Sequence, residues 1–297
     1  MSTIGISNKN NCIIIASLPR SGSTVLQRIL ATDPRYSTQD ETWVFPFVSS
    51  NFVYNGIKSI LGHKTALNRI NQISPDLQER LLLSVLESVI LENKGYYIEK
   101  TPRNYFSIKS LNKIGQKVII VVRNPAMILA SSMNNLFGGD LRHIHGYLVD
   151  YEIGIEHLVN GNKNPLNDVL KYEELERVNY ADYGLDVELN SLVILDNNIG
   201  DKDKSKSFIL QNDIKKYKLT LLESIVALYI LKRYFKIYCD DFGYSYKECR
   251  HMIFKELAIF RMRKFPKQLM GLLMSLSLIF IYKLINIKSE NSIVPRI

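Results

Sequence analysis

Cysteine is scarce in this chain: Cys12, Cys239 and Cys249 are the only three in 297 residues. The number is odd, the spacing is wide and no Cys-x-x-Cys pair occurs. That argues against a disulfide framework or a zinc site and fits a reducing compartment. Cys12 opens an apolar run and reads as a small core residue. Residues 1–11 are polar, with no charged segment leading into an apolar one, so neither a secretory signal nor an N-terminal anchor is expected. Zinc-finger spacing, an RNA-recognition signature and a base-reading basic helix are all missing, so nucleic acid is not expected as a partner.

What is present fits a folded α/β protein. Hydrophobic residues make up 46% of the chain, with seventeen tyrosines, enough to bury a substantial core. The formal charge is +9. Two readings of that excess stay open: a lysine-rich solvated surface, or an anionic partner such as a nucleotide or a membrane surface.

The first half alternates short apolar runs with helix-like segments. Strands are expected at Cys12–Ser17, Tyr36–Thr38, Tyr96–Ile98, Val118–Val122 and Asp168–Tyr172. Ser74-Pro75-Asp76 has the N-cap and first-position proline of a helix start, and the helix should run through Leu91. Further helices are expected after Gly22, over Asn104–Ile114, from Asn124-Pro125, and over Asp213–Tyr238. Gly161–Leu166 and the charged stretch Asn197–Ser207 read as loops. Continuous apolar strands separated by helices predict a parallel sheet covered on both faces.

In open parallel sheets, ligands bind beyond the carboxyl ends of the strands. Four expected strand ends carry charge: Arg20 after the first, Asp40 and Glu41 after the second, Glu99 and Lys100 after the third, and Arg123 after the fourth. Any one of these is ordinary for a solvated loop. Four on one sheet edge point to an anionic ligand. The first of these segments, Leu18-Pro19-Arg20-Ser21-Gly22-Ser23-Thr24, joins a strand to a helix through a glycine turn with several hydroxyls. Backbone N–H groups at such a helix start suit a phosphate. A Walker A loop needs Gly-x4-Gly-Lys-Ser/Thr, and its lysine is missing here. An ATP-dependent phosphoryl-transfer enzyme of the same fold is therefore the weaker alternative.

The sequence Pro19-Arg20-Ser21-Gly22-Ser23-Thr24 resembles the 5′-phosphosulfate loop of sulfotransferases that use 3′-phosphoadenosine-5′-phosphosulfate (PAPS). Val122-Arg123-Asn124-Pro125, with Ser131 eight residues after the arginine, resembles their 3′-phosphate motif. The two motifs stand in the family's order, about a hundred residues apart. Asp40-Glu41-Thr42 and Pro46 are similar to the acidic segment of protein-tyrosine sulfotransferases, where the second acid is the base. Glu99-Lys100-Thr101-Pro102 with Asn104 resembles bacterial and carbohydrate sulfotransferases, and Tyr172-Glu173-Glu174-Leu175 a later Tyr-Glu-x-Leu motif. The likeness covers roughly residues 12–175. It departs at Trp43, where the tyrosine enzymes often have a basic residue, and at Asn124, where an aspartate is common.

The resemblance implies a P-loop-like three-layer α/β sandwich with a central parallel sheet and a helical C-terminal extension. It places the catalytic roles on Glu41, Lys100 and Arg20. It places cofactor binding on Arg20, Ser21, Gly22, Ser23, Thr24, Arg123, Ser131 and Tyr172. PAPS is the expected donor, PAP (the 3′,5′-bisphosphate) the product, a hydroxyl-bearing molecule the acceptor, and no metal is required. Glycan, glycolipid, small-molecule and tyrosine hydroxyls all stay open as acceptors, with the first three favoured. None of the five histidines, His63, His143, His145, His157 and His251, stands at a motif position.

Residues 1–250 are expected to form the catalytic domain and 251–297 a basic and apolar tail. Within the tail, residues 269–287 are largely apolar with Lys283 as the one charge, and they follow the basic stretch Arg261–Lys267. Such a segment is long enough to span a bilayer, with the domain on the cytoplasmic side, or to lie at its inner face. Packing against the domain and dimerisation are the other readings. A catalytically silent membrane-associated protein that binds PAP is a third functional alternative.

Overall fold

The fold is described from a computed structural model. It describes residues 12–39, 41–42, 44–48, 75–92, 96–136, 141, 144–187 and 217–259, and parts of 269–277. Five strands form one sheet: β1 (Cys12–Ser17), β2 (Ser37–Thr38), β3 (Tyr97–Lys100), β4 (Val118–Val122) and β5 (Asp168–Lys171). The order across the sheet is β2-β3-β1-β4-β5, and every pairing is parallel. This is the expected α/β sandwich.

Between the strands run α1 (Ser23–Leu30), α2 (Val44–Val48), α3 (Pro75–Glu92), α4 (Ile108–Lys113), α5 (Pro125–Ser131) and α6 (Ile144–Asn162). After β5 come 3₁₀ turns at Tyr172–Arg177 and Tyr180–Tyr183, then β6 (Leu219–Thr220), α7 (Leu221–Phe242), α8 (Tyr246–His251) and β7 (Ala258–Ile259). β6 and β7 pair in a small second sheet.

Two apolar layers flank the main sheet. Ile15, Ile98, Ile119 and Val121 face α1 and the turns around Leu175 and Tyr180. Ile14, Tyr97, Val118, Ile120 and Val122 face α6, α7 and the segment around Tyr105. Every residue of β4 is buried, which is why its sequence is Val-Ile-Ile-Val-Val without alternation. Burying each of these side chains stabilises the fold by roughly 1.5–3 kcal/mol relative to exposure.

The differences from expectation have local causes. β3 runs two residues beyond Ile98 and carries Glu99 and Lys100 inside the sheet, both almost fully buried. Charges normally end a buried strand, and these are retained because each has a partner. The expected helix over Asn104–Ile114 begins as a 3₁₀ segment, Pro102–Ser107, because Pro102 opens it, and becomes α4 at Ile108. α7 starts at Leu221, where Thr220 and Glu223 form a capping box, and Gly243 closes it in the left-handed conformation. The expected start of that helix, residues 213–216, and the loop Asn197–Ser207 lie outside the described residues.

The packed body continues past position 250: α8 leads into a π-helical turn, Met252–Leu257, with Ile253 fully buried, and then β7. Of the apolar run at 269–287 only part is described, and there Leu269, Met270, Leu273 and Met274 are exposed. No helix of the described residues is long and apolar enough to cross a membrane.

Candidate active site

All five strands end at one edge, and each hands over a residue singled out by its chemistry. In sheet order these are Glu41 after β2, Lys100 closing β3, Arg20 after β1, Arg123 after β4 and Tyr172 after β5. β1 lies at the centre, between β3 and β4, so its loop lies between the lysine and the arginine.

The loop has an unusual backbone. Arg20 has φ 71°, and it is the only non-glycine with positive φ among the described residues. Such a conformation costs a non-glycine residue roughly 1–2 kcal/mol and is typical of functional turns. Gly22 follows at φ 93° and serves as the N-cap of α1, with no side chain capping the helix. A Cβ at Gly22 would stand 2.1 Å from Tyr172 Cδ2, so only glycine fits beneath that ring. The first amides of α1 are left to a ligand or solvent, as an anion cradle requires.

The loop is tied to the segment after β4. Arg20 Nε donates to Ser131 Oγ at 3.0 Å, and Arg123 Nη1 donates to the Arg20 carbonyl at 3.2 Å. The Arg123 guanidinium lies 4.2 Å from the centre of the Tyr172 ring, a cation–π contact. Burial pushes the Tyr172 phenol above its ordinary pKa, and the neighbouring Arg123 charge offsets part of that. Arg123 is 5% exposed, and its Nε has no hydrogen-bond partner. A buried guanidinium N–H without an acceptor is costly, and a bound phosphate would supply one. Asn124 accepts from the Ala126 N–H and so caps α5. Asparagine caps as well as aspartate, so its presence where relatives often have aspartate leaves the local structure intact.

On the other side of the loop, Lys100 Nζ and Glu41 Oε1 form an ion pair at 2.8 Å. The lysine side chain is 2% exposed and the glutamate 35%, so the carboxylate lies at the mouth and the cation below it. The neighbouring residues repeat the contact on the opposite face of β3: Thr42 and Thr101 both hydrogen-bond Glu99. Burial raises the Glu99 carboxyl above its ordinary range, opposed by these hydroxyls, Asn104 and Lys100. Residues 41 and 42 thus straddle the end of β3, gripping Lys100 and Glu99 in turn.

A sequence model of the sulfotransferase family matches residues 12–189, well over half of the chain. The chain belongs to that family. Among solved structures, a sulfotransferase domain from the Curacin biosynthetic pathway is similar at 20% identity, covering 60% of this chain and 75% of its own, with a TM-score of 0.38. No curated protein matches this chain.

For a sulfotransferase, the structure brings together Arg20, Gly22, Ser131, Arg123 and Tyr172 on one side of the loop, and Lys100 with Glu41 on the other. Ser23 is nearly buried at the start of α1, with Thr24 half-buried after it. The Ser21 side chain is fully buried against the Tyr238 phenol. Asp40 and Trp43 lie outside the described residues. Among the described residues, no group of three or more His, Cys, Asp or Glu is placed to hold a metal ion. Sequence reasoning missed Tyr238, Tyr244 and the part played by Glu173. Tyr238 and Tyr244 come from the chain beyond residue 189, far from any motif.

Proposed function

We propose that this sulfotransferase transfers a sulfonate group from PAPS to an acceptor hydroxyl, with Glu41 as base. The observation that carries the reading is the meeting of the two phosphate motifs through Arg20, Ser131 and Arg123. The orphaned Arg123 Nε and the glycine-only loop under Tyr172 suit a bisphosphate nucleotide. Arg123 and Ser131 hold the 3′-phosphate, and the amides of residues 21–24 with Arg20 hold the 5′-phosphosulfate.

When bound, PAPS supplies the sulfonate and leaves as PAP. Glu41 takes the proton from the attacking hydroxyl as the new O–S bond forms and the bond from sulfur to the phosphate oxygen breaks. Lys100 and Arg20 offset the negative charge that builds on the departing phosphate oxygen and the sulfonate. The ion pair of Glu41 with Lys100 is the resting arrangement. In the reaction the lysine turns its charge to the leaving oxygen and the carboxylate faces the acceptor.

Glycan, glycolipid and small hydroxylated acceptors are favoured. The nucleotide-side residues contain no acceptor-specific feature, and residues 49–74 lie outside the described residues. The test is transfer of labelled sulfonate from PAPS to a panel of such hydroxyl compounds by wild type and Glu41→Gln. Transfer by wild type that falls at least a hundredfold in the variant, with PAP affinity retained, supports the reading. Equal transfer by both removes Glu41 from its role, and no transfer to any acceptor class counts against the reaction.

A further inference from the structure

The Arg123-Asn124 turn is held by Tyr238 and, through Glu173, by Tyr244, two tyrosines outside the stretch that matches the family. Beyond β4 the sheet ladder stops, leaving the Arg123 backbone to find other partners. Tyr238, on α7, supplies both. Its phenol accepts from the Arg123 N–H at 3.0 Å and donates to the Arg123 carbonyl at 3.2 Å. The same phenol faces the buried Ser21 hydroxyl of the phosphate loop. One residue further on, the Asn124 N–H donates to Glu173 Oε1 at 2.8 Å, and Tyr244 donates to Glu173 Oε2 at 2.9 Å. Tyr238 and Tyr244 stack at 6.1 Å with ring planes 9° apart, so the two clamps share one support. Tyr238 is fully buried between Phe235 and Phe242.

We propose that Tyr238 is a positioning residue for the 3′-phosphate arm, setting the direction of the Arg123 side chain and thereby selectivity for a 3′-phosphorylated nucleotide. Tyr244 assists it through Glu173. The inference rests on PAPS being the donor. It goes beyond that reading by assigning nucleotide selectivity to a C-terminal region that carries no nucleotide-binding motif. The backbone of Arg123 is fixed at both its N–H and its carbonyl, which leaves the side chain few directions: across Tyr172 and toward the loop. Removing the phenolic oxygen frees the peptide on either side of Arg123 and lets the guanidinium swing away from the phosphate. The loop amides, which hold the 5′ end, open α1 and meet this arm only through the Arg20 carbonyl and the Ser21 hydroxyl.

The experiment is calorimetric titration of the full chain with PAP and with AMP, which lacks the 3′-phosphate, for wild type, Tyr238→Phe and Tyr244→Phe. Wild type should prefer PAP. Tyr238→Phe should lower the ratio of PAP to AMP affinity about tenfold, a shift equivalent to about 1.4 kcal/mol. Tyr244→Phe should shift the same ratio by a smaller factor, and it serves alone if the first variant does not fold. A role in stability only would lower both affinities together or neither, and that result in the folded variants overturns the proposal. Failure of wild type to prefer PAP over AMP overturns the donor reading itself, and the inference with it.

Discussion

Arg20 Nε and Ser131 Oγ, 111 positions apart in sequence, are joined by a 3.0 Å hydrogen bond that ties the loop after β1 to the end of α5. The two motifs are therefore one site in space, and the serine holds the arginine at the loop's rim. Ser131→Ala should weaken PAP binding about tenfold, consistent with ~1.5 kcal/mol for a hydrogen bond to a charged group. Calorimetry alongside far-UV circular dichroism checks this, with the spectrum expected to be unchanged.

Gly22 should tolerate no side chain. Gly22→Ala must adopt φ 93° and push the Tyr172 ring aside, and the backbone conformation alone costs roughly 1–2 kcal/mol. Displacing Tyr172 also strips the aromatic face from Arg123. The variant should show a lower urea midpoint and lose most of its PAP affinity.

Asp33 gives a pH signature unrelated to the nucleotide. Its buried carboxylate accepts from the Arg35 side chain and from the Asp186 N–H, and Arg35 reaches on to the Gly184 carbonyl. The Arg35 hydrogen bond, ahead of the opposing effect of burial, lowers its pKa from the ordinary 3.8 to about 2. The folded state therefore holds this proton less tightly than the unfolded chain. Its stabilisation is full above about pH 4 and fades as pH falls toward 2. Asp33→Asn should cost about 1–3 kcal/mol at pH 7, and the gap between urea midpoints should narrow in acid.

Glu99 should show the opposite sign. Burial raises its pKa above the ordinary 4.5, so the folded state binds this proton more tightly than the unfolded chain. Wild-type stability then declines as pH rises through the interval above that value. Glu99→Gln does not titrate, so its stability relative to wild type should climb as pH rises above the ordinary 4.5. Denaturant melts at several pH values measure this. A relative stability that stays flat contradicts the assignment.

The sequence disclosed the parts of this fold that rest on local rules. β4 is legible because five consecutive apolar β-formers have no alternative but burial, and α3 because Ser74-Pro75-Asp76 marks a helix start. The loop motifs are legible because strand, glycine turn and helix follow one another within a few residues. β3 ends two residues past the expected Ile98: Glu99 and Lys100 look solvated in sequence, and only the fold brings Thr42 and Glu41 to them. Tyr238 was invisible for the same reason: its partner is 115 positions away, and a tyrosine in an apolar helix reads as core.

The most direct test of the sulfotransferase account is calorimetric titration of the wild-type chain and Arg123→Ala with PAP, with ATP as control. The account predicts selective PAP binding by wild type and its loss in the variant, because Arg123 is a buried cation with an unpartnered Nε–H beside the loop. Folded wild-type protein that binds no PAP, or binds ATP equally well, would contradict it.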